Sequence, residues 1–286
     1  MSRGPVLVTG ALGNVGGATV TALLAAGAEV RAADLDAGAV AQKFPEAEAV
    51  RLDLQDSTTF LEAVTGCQSM LLLRPPPISR MKSTLNLLVD VAAKHGMAHV
   101  VFSSVQGADT NWIVPHHRVE EHLRTSGIDW TMLRPGFFAQ NLSDAYRLDI
   151  RNDDRIFVPA SAGRVAFIDV TDLGEIAALI FDDPAPHRSQ GYTLSGPEAL
   201  TFGKVAAILS DVLGRPIRYE PASALRYARH LHGRGLPLAQ CAVQTVLHLG
   251  LRKGDAETVE PTVQRLLGRP AHSLEAFIRE HCHLWA

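Results

Sequence analysis

The chain has 286 residues, 47% hydrophobic and 20% charged, with a formal net charge of −3; that length suits one large α/β domain, or a Rossmann domain with a smaller second lobe. A balance so close to neutral lacks the basic footprint that phosphate backbones demand, so direct nucleic-acid binding is not expected. Cys67, Cys241 and Cys282 are too few and too scattered for a disulfide framework or a zinc site, no apolar run nears the ~20 residues that cross a bilayer, and MSRGP leads straight into a strand rather than a signal sequence; the expectation is a cytoplasmic chain with no metal and no membrane association.

Six β-rich runs open the chain: VLVT at Val6, EVRAAD at Glu29, AVRLD at Ala49, MLLL at Met70, HVVFSS at His99 and WTMLR at Trp130. Between them lie the Ala- and Leu-rich stretches GGATVTALLAAG, STTFLEAVTG, STLNLLVDVAAKHG and HRVEEHLRTSG. This alternation predicts parallel βαβ units, and the continuous apolar strands predict a sheet covered on both faces. After about Asn141 the pattern loosens. VAFIDV reads as a strand, DLGEIAALIF as a helix, YTLSG as a strand, and FGKVAAILSDVLG as a helix capped by Thr201, ended by Gly214 and closed off by Pro216. IRYE and three or four further helices complete the chain. The expected fold is α/β: a doubly wound Rossmann parallel sheet over residues 1–140, and a smaller, mostly helical C-terminal lobe over 141–286 packed on it, with some segments returning to the sheet.

The segment VLVTGALGNVGGATVTALL is a strand, a turn with glycines at 10, 13 and 16, and a helix. Gly10 permits the tight turn, Gly13 lets backbone amides approach a pyrophosphate, and Gly16 lets helix and strand pack closely. The second strand ends at Asp34, where a carboxylate can accept bonds from the adenosine ribose hydroxyls, or serve as a solvated strand end or helix cap. Asp34 repels a 2′-phosphate, Leu35 offers no cation to hold one, and Arg31 lies on the opposite face by strand alternation; NAD is therefore expected over NADP. Asp53 and Leu54 are placed to meet an adenine edge and face, with turn chemistry as the plainer reading of Asp53.

The chain resembles the NmrA-like group of atypical short-chain dehydrogenases/reductases. The segments that carry the resemblance include VTGALGNVGG, RLDLQD, LLLRPPP, HVVFSS, RVEEHLRTSGIDWTMLRPGFFAQNL, FIDVTDLGEIAA and YTLSGPEALTFGKVAAILSDVLGRPIRYE. It implies that Gly10, Gly13, Asn14, Val15 and Gly16 hold the pyrophosphate beside Thr9, that Asp53 and Leu54 lie near the adenine, and that Leu73, Arg74 and Pro75 run beside the cofactor. Ser103 and Ser104 would lie near the nicotinamide, with Pro135, Gly136 and Phe137 lining its pocket and Phe138 and Asn141 following toward the substrate. Many relatives carry a basic residue where Leu35 stands.

Short-chain dehydrogenases commonly protonate the alkoxide with a tyrosine acidified by a lysine four residues on. Here Tyr146, Tyr192, Tyr219 and Tyr227 are followed at that spacing by Ile150, Gly196, Ser223 and Leu231, and no lysine lies between Lys94 and Lys204. Alignment with the family puts His116 at the lysine position and Trp112 at the tyrosine position. His116 is a candidate ribose contact and neutral-pH proton shuttle, or else a polar helix-start residue. Trp112 would stack on an aromatic substrate or fill core. The expected function is NAD(P)-dependent hydride transfer to a small quinone, enone or iminium-like acceptor without a Tyr/Lys dyad. The alternatives are a non-catalytic redox sensor with a protein partner, and a biosynthetic enzyme that reuses the fold without net hydride transfer. A homodimer is left open.

Four further features have plain readings. His281-Cys282-His283, and likewise His230 and His232, sit too close along a helix to converge on one ion. Cys67 reads as a small core residue. Tyr227, Arg226 and Arg229 read either as a pocket cap or as amphipathic packing.

Overall fold

The computed structural model describes residues 4–76 and 78–286. Six strands follow the predicted runs: β1 Val6–Thr9, β2 Val30–Asp34, β3 Glu48–Arg51, β4 Ser69–Leu73, β5 His99–Ser103 and β6 Asp129–Pro135. They join one seven-stranded sheet in the order Gln190–Leu194, β6, β5, β4, β1, β2, β3. Every pairing in it is parallel. Parallel strands require crossovers, and α1 Asn14–Ala25, α2 Ala37–Lys43, α3 Phe60–Val64, α4 Leu85–Lys94 and α5 Pro115–Thr125 supply them.

The chain divides into two compact units, one of Met1–Pro135 with Val170–Leu194, the other of Gly136–Asp169 with Ser195–Ala286. In the first, Leu7, Phe60, Met70, Leu72, Val100 and Phe102 form the buried core beneath the helices. The helix Val170–Asp182 packs on α1 so closely that a Cβ on Gly174 would lie 2.6 Å from the Ala18 carbonyl oxygen. YTLSG, read as a strand in the later half, supplies the sheet's outer strand, with Tyr192 opposite Leu133 of β6. Helix α2 was not anticipated: it is seven residues long and buries only Val40, too little to show periodicity. Asp36, not Asp34, caps it, accepting the Ala39 amide; the helix-cap reading of Asp34 is thus corrected.

The second unit holds three pairs of two-residue strands and six helices, among them Phe202–Leu213, Ala224–Gly233 and Leu238–Gly250. Thr201 caps the first of these by accepting the Lys204 amide, and Gly214 ends it in the left-handed conformation. Phe167, Phe202, Phe277 and Trp285 are fully buried here, and the indole of Trp285 donates to the Leu142 carbonyl at 3.0 Å. Among the described residues no helix is long and apolar enough to cross a membrane.

Candidate functional site

The turn after β1 is built so that backbone, rather than side chains, faces outward at the start of α1. Gly10 adopts φ +64°, and a Cβ on Gly16 would stand 2.1 Å from the Gly10 carbonyl oxygen, so only glycine fits at that position. The turn is braced from three sides: Ala11 N donates to Ala33 O at 3.1 Å, Leu12 N to Asp34 Oδ2 at 2.9 Å, and Leu73 N to Thr9 Oγ1 at 2.9 Å. Gly13 begins α1 with no side chain capping it and no acidic residue in the first turn. The positive end of a twelve-residue helix is therefore presented at the carboxyl edge of the sheet, through the backbone around Asn14, Val15 and Gly16.

Parallel pairing brings the other strand ends to the same edge. Asp34 ends β2, its Oδ1 accepting the Leu35 amide at 2.8 Å while Oδ2 takes Leu12. A carboxylate has about four lone-pair sites, so two amides leave acceptor capacity for a hydroxyl. Leu35 is 61% exposed. Arg31 is turned away, donating to Glu48 and to the Ala63 and Thr65 carbonyls that close α3. Beyond β3, Asp53 is held in a turn: Oδ1 accepts the Gln55 amide at 2.9 Å and Oδ2 lies 3.5 Å from Arg51. The Leu54 side chain is buried in the core. Cys67 is buried too, and burial pushes its thiol pKa up.

At the end of β4, Arg74 donates through Nη1 to the carbonyls of Pro75, Pro76 and Ile78 and through Nε to His116 Nε2 at 3.2 Å. With Nε2 accepting, the His116 proton sits on Nδ1, which is buried and unpartnered. Burial, with the Arg74 charge added, drives the His116 pKa down to about 4. A ring shifted so far down is uncharged at neutral pH. Trp112 is 70% exposed, which removes its core-filling reading.

The β5 end reveals a buried ionic cluster with no local sequence signature. Glu120 of α5 is fully buried, and Arg134 of β6 meets it with two bonds, Nε to Oε1 at 3.0 Å and Nη2 to Oε2 at 2.7 Å. Arg124 adds a contact at 3.0 Å, and Ser104 Oγ donates to Glu120 Oε1 at 2.6 Å. Burial raises the Glu120 pKa, but the hydrogen bonds from Arg134 and Ser104 and the charges of Arg134 and Arg124 outweigh it and hold the carboxylate low. The Ser104 hydroxyl is thus engaged inward, and Ser103 pairs in register with Leu73 and Leu133. The Pro135 carbonyl accepts the Gln106 amide at 3.0 Å.

Gly136, Phe137, Phe138 and Asn141 belong to the second unit. There Phe137 meets Phe167 and His248 edge-on, at 5.7 and 5.9 Å between centroids, and Asn141 Nδ2 donates to the Phe138 carbonyl. Tyr146, in the same cluster, donates to His248 Nε2, while His248 Nδ1 faces the Gln244 carbonyl at 2.7 Å. Burial raises the phenol pKa of Tyr146, Tyr219 and Tyr227, so none of the three is an acidified tyrosine. Among the described residues no cluster of His, Cys, Asp or Glu could hold a metal ion.

A family model described as NmrA-like matches residues 2–269. The chain is 29% identical over 285 residues to an NAD(P)H azoreductase of Xenophilus azovorans, covering 96% of this chain and 97% of that protein. It is 28% identical over 289 residues to an uncharacterised oxidoreductase, YesF, of Bacillus subtilis (strain 168), covering 100% and 98%. The NADPH complex of the NADPH-dependent quinone oxidoreductase of Escherichia coli has the same fold, with a TM-score of 0.85 at 23% identity over 97% of this chain and 99% of that one.

Proposed function

The chain belongs to the NmrA-like family, and from that premise we propose that it is an NAD(P)H-binding oxidoreductase whose nicotinamide reduces a small quinone, enone or iminium-like acceptor. The observation that carries this reading is the uncapped start of α1 behind a turn where only glycine fits at position 16. That cradle suits a diphosphate, and the orphaned Nδ1–H of His116 suits a ribose or carboxamide oxygen as acceptor. The bound nicotinamide would supply the hydride.

The protein's own part is to bind and orient. The amides of α1 would hold the diphosphate, and Asp34 the adenosine ribose. Asp53, Leu54, Leu73, Arg74, Pro75 and Ser103 are proposed to flank the cofactor, Trp112 the substrate, and Phe137, Phe138 and Asn141 keep the substrate-facing role carried by the resemblance. No acidified tyrosine stands among Tyr146, Tyr219 and Tyr227, and His116 is uncharged, so an acceptor that takes its proton from water is favoured over a simple ketone. NAD is favoured over NADP because Asp34 repels a 2′-phosphate and Leu35 offers no cation.

Titration of tryptophan fluorescence with NADH and NADPH tests the binding claim; failure of both to bind overturns it. Turnover of a quinone, enone and azo-dye panel, followed by loss of nicotinamide absorbance, tests the reaction. Binding without turnover across that panel favours the redox-sensor reading instead.

A further inference from the structure

An amphipathic surface helix turns its apolar stripe to the core. The helix Leu238–Gly250, LAQCAVQTVLHLG, does the reverse. It buries Cys241, Thr245 and His248, and all three make polar bonds: Cys241 Sγ donates to the Leu236 carbonyl at 3.4 Å, Thr245 Oγ1 to the Cys241 carbonyl at 2.7 Å, and His248 joins Tyr146 and the Gln244 carbonyl. Its outward face is Leu238, Ala239, Ala242, Val243, Val246 and Leu247, all exposed, with Leu238 at 70% and Val246 at 67%. The helix carries no charged residue. Isolated exposed apolar residues need no explanation, but four large ones along one helix form a continuous patch.

We propose that this face packs against the same face of a second copy of the chain, the two helices running antiparallel across a two-fold axis. A two-fold interface sets residue i against residue j and j against i, with only the residues beside the axis meeting their own copies, so an apolar face without charges meets an equally apolar face and no like charges are forced together. Ala239 and Ala242 lower the ridge at its centre, and the flanking valines and leucines fill the grooves of a facing helix. A patch on the order of a few hundred Å² per copy brings the pair toward the ~1,000 Å² that a specific interface needs. A lipid surface is the poorer occupant, because interfacial helices present lysines and arginines on their polar face, whereas this helix has none, and its polar residues are Gln240, which is exposed, half-buried Gln244, and buried Thr245 and His248.

Analytical ultracentrifugation of the full chain across a concentration series tests the proposal, with Val246→Lys, Val246→Glu and the uncharged Val246→Gln as probes on an already exposed position. The wild type is expected to dimerise, and the lysine and glutamate variants each to weaken the dimer on the order of a hundredfold or more by burying an unpaired charge in an apolar contact, with like-charge repulsion across the axis adding to it. Val246→Gln should weaken it less, and an equimolar mixture of the lysine and glutamate variants should restore dimers. Circular dichroism and cofactor titration identify any variant that has lost its fold, and Val246→Gln then carries the comparison. A wild type that stays monomeric, charged variants that dimerise unchanged, or wild-type sedimentation with phosphatidylserine vesicles that Val246→Glu abolishes would each overturn it.

Discussion

The carboxylate of Asp34 accepts the backbone amide of Leu12 at 2.9 Å, so the acidic residue proposed to meet the ribose also holds the glycine turn in shape. Asp34→Ala is therefore expected to weaken NADH on the order of a hundredfold and NADPH less, because the charge that repels a 2′-phosphate goes with it, and to lower stability by about 1–3 kcal/mol by leaving the Leu12 amide unpaired. Fluorescence titration and thermal unfolding measure the two effects. Loss of binding with unchanged stability would mean that the bond to Leu12 contributes little.

Leu35 is exposed beside that carboxylate. Leu35→Arg should leave NADH affinity within a few-fold and tighten NADPH on the order of tenfold by a charge-assisted bond to the 2′-phosphate. Equal change in both cofactors would show that position 35 lies away from the ribose.

Gly16 tolerates no side chain, since its Cβ would fall 2.1 Å from backbone oxygen. Gly16→Ala must push α1 off β1, costing about 1–3 kcal/mol and most of the cofactor affinity. Gly38 has only a flexible carboxylate near its Cβ, at 3.3 Å; Gly38→Ala is the control expected to leave binding unchanged.

The Glu120–Arg134 pair separates buried from exposed charge. Glu120→Gln keeps the shape but leaves Arg134 with only the more exposed Asp109, at 3.3 Å, as a counter-charge, with an expected loss of about 3 kcal/mol in urea denaturation. Arg124→Gln, at a side chain 30% exposed, should cost about 1 kcal/mol or less. Similar losses in the two variants would show that Arg124 carries as much of the cluster as Arg134.

His99 and His116 are both brought by burial from 6.5 to about 4. The unfolded chain therefore binds protons at these two rings near pH 6.5 that the folded chain refuses until near pH 4, and burial lowers His187 and His248 in the same direction. Stability should be level between about pH 7 and pH 8, below the range where Cys67 and the buried tyrosines begin to matter, and fall by on the order of a few kcal/mol as pH drops through the histidine window. Glu120, held low in the fold, adds a further loss once the unfolded carboxylates begin to protonate. Urea midpoints near pH 7 and near pH 5 measure the slope, which His99→Gln should reduce without abolishing, because His116, His187 and His248 still contribute. A midpoint that does not change over this window would mean that these rings titrate normally.

The parts legible in the sequence are those governed by neighbours along the chain. The first six strands, the glycine turn, the Thr201 cap and the Gly214 stop each depend on a few consecutive residues whose φ preference, apolar run or capping oxygen acts locally. The strand ends are legible too, and parallel pairing then brings every carboxyl end, with the residues proposed for the site, to one edge.

The rest was decided by contacts between distant segments. YTLSG could not be assigned to the sheet until β6 offered an open edge, and the helix at Val170–Asp182 met α1 only because Gly174 admits close approach. Glu120 and Arg134 lie in different elements, and nothing in their local sequence marks the pair as buried. His116 read as a titratable histidine until burial and the Arg74 contact made it neutral. The outward apolar face of Leu238–Gly250 runs against the pattern that places apolar residues inside, since tertiary packing set Thr245 and His248 inward. Local sequence determines which elements form and where they turn, because those energies are short-range; burial, charge pairing and protonation depend on which surfaces meet, and the tertiary structure alone decides that.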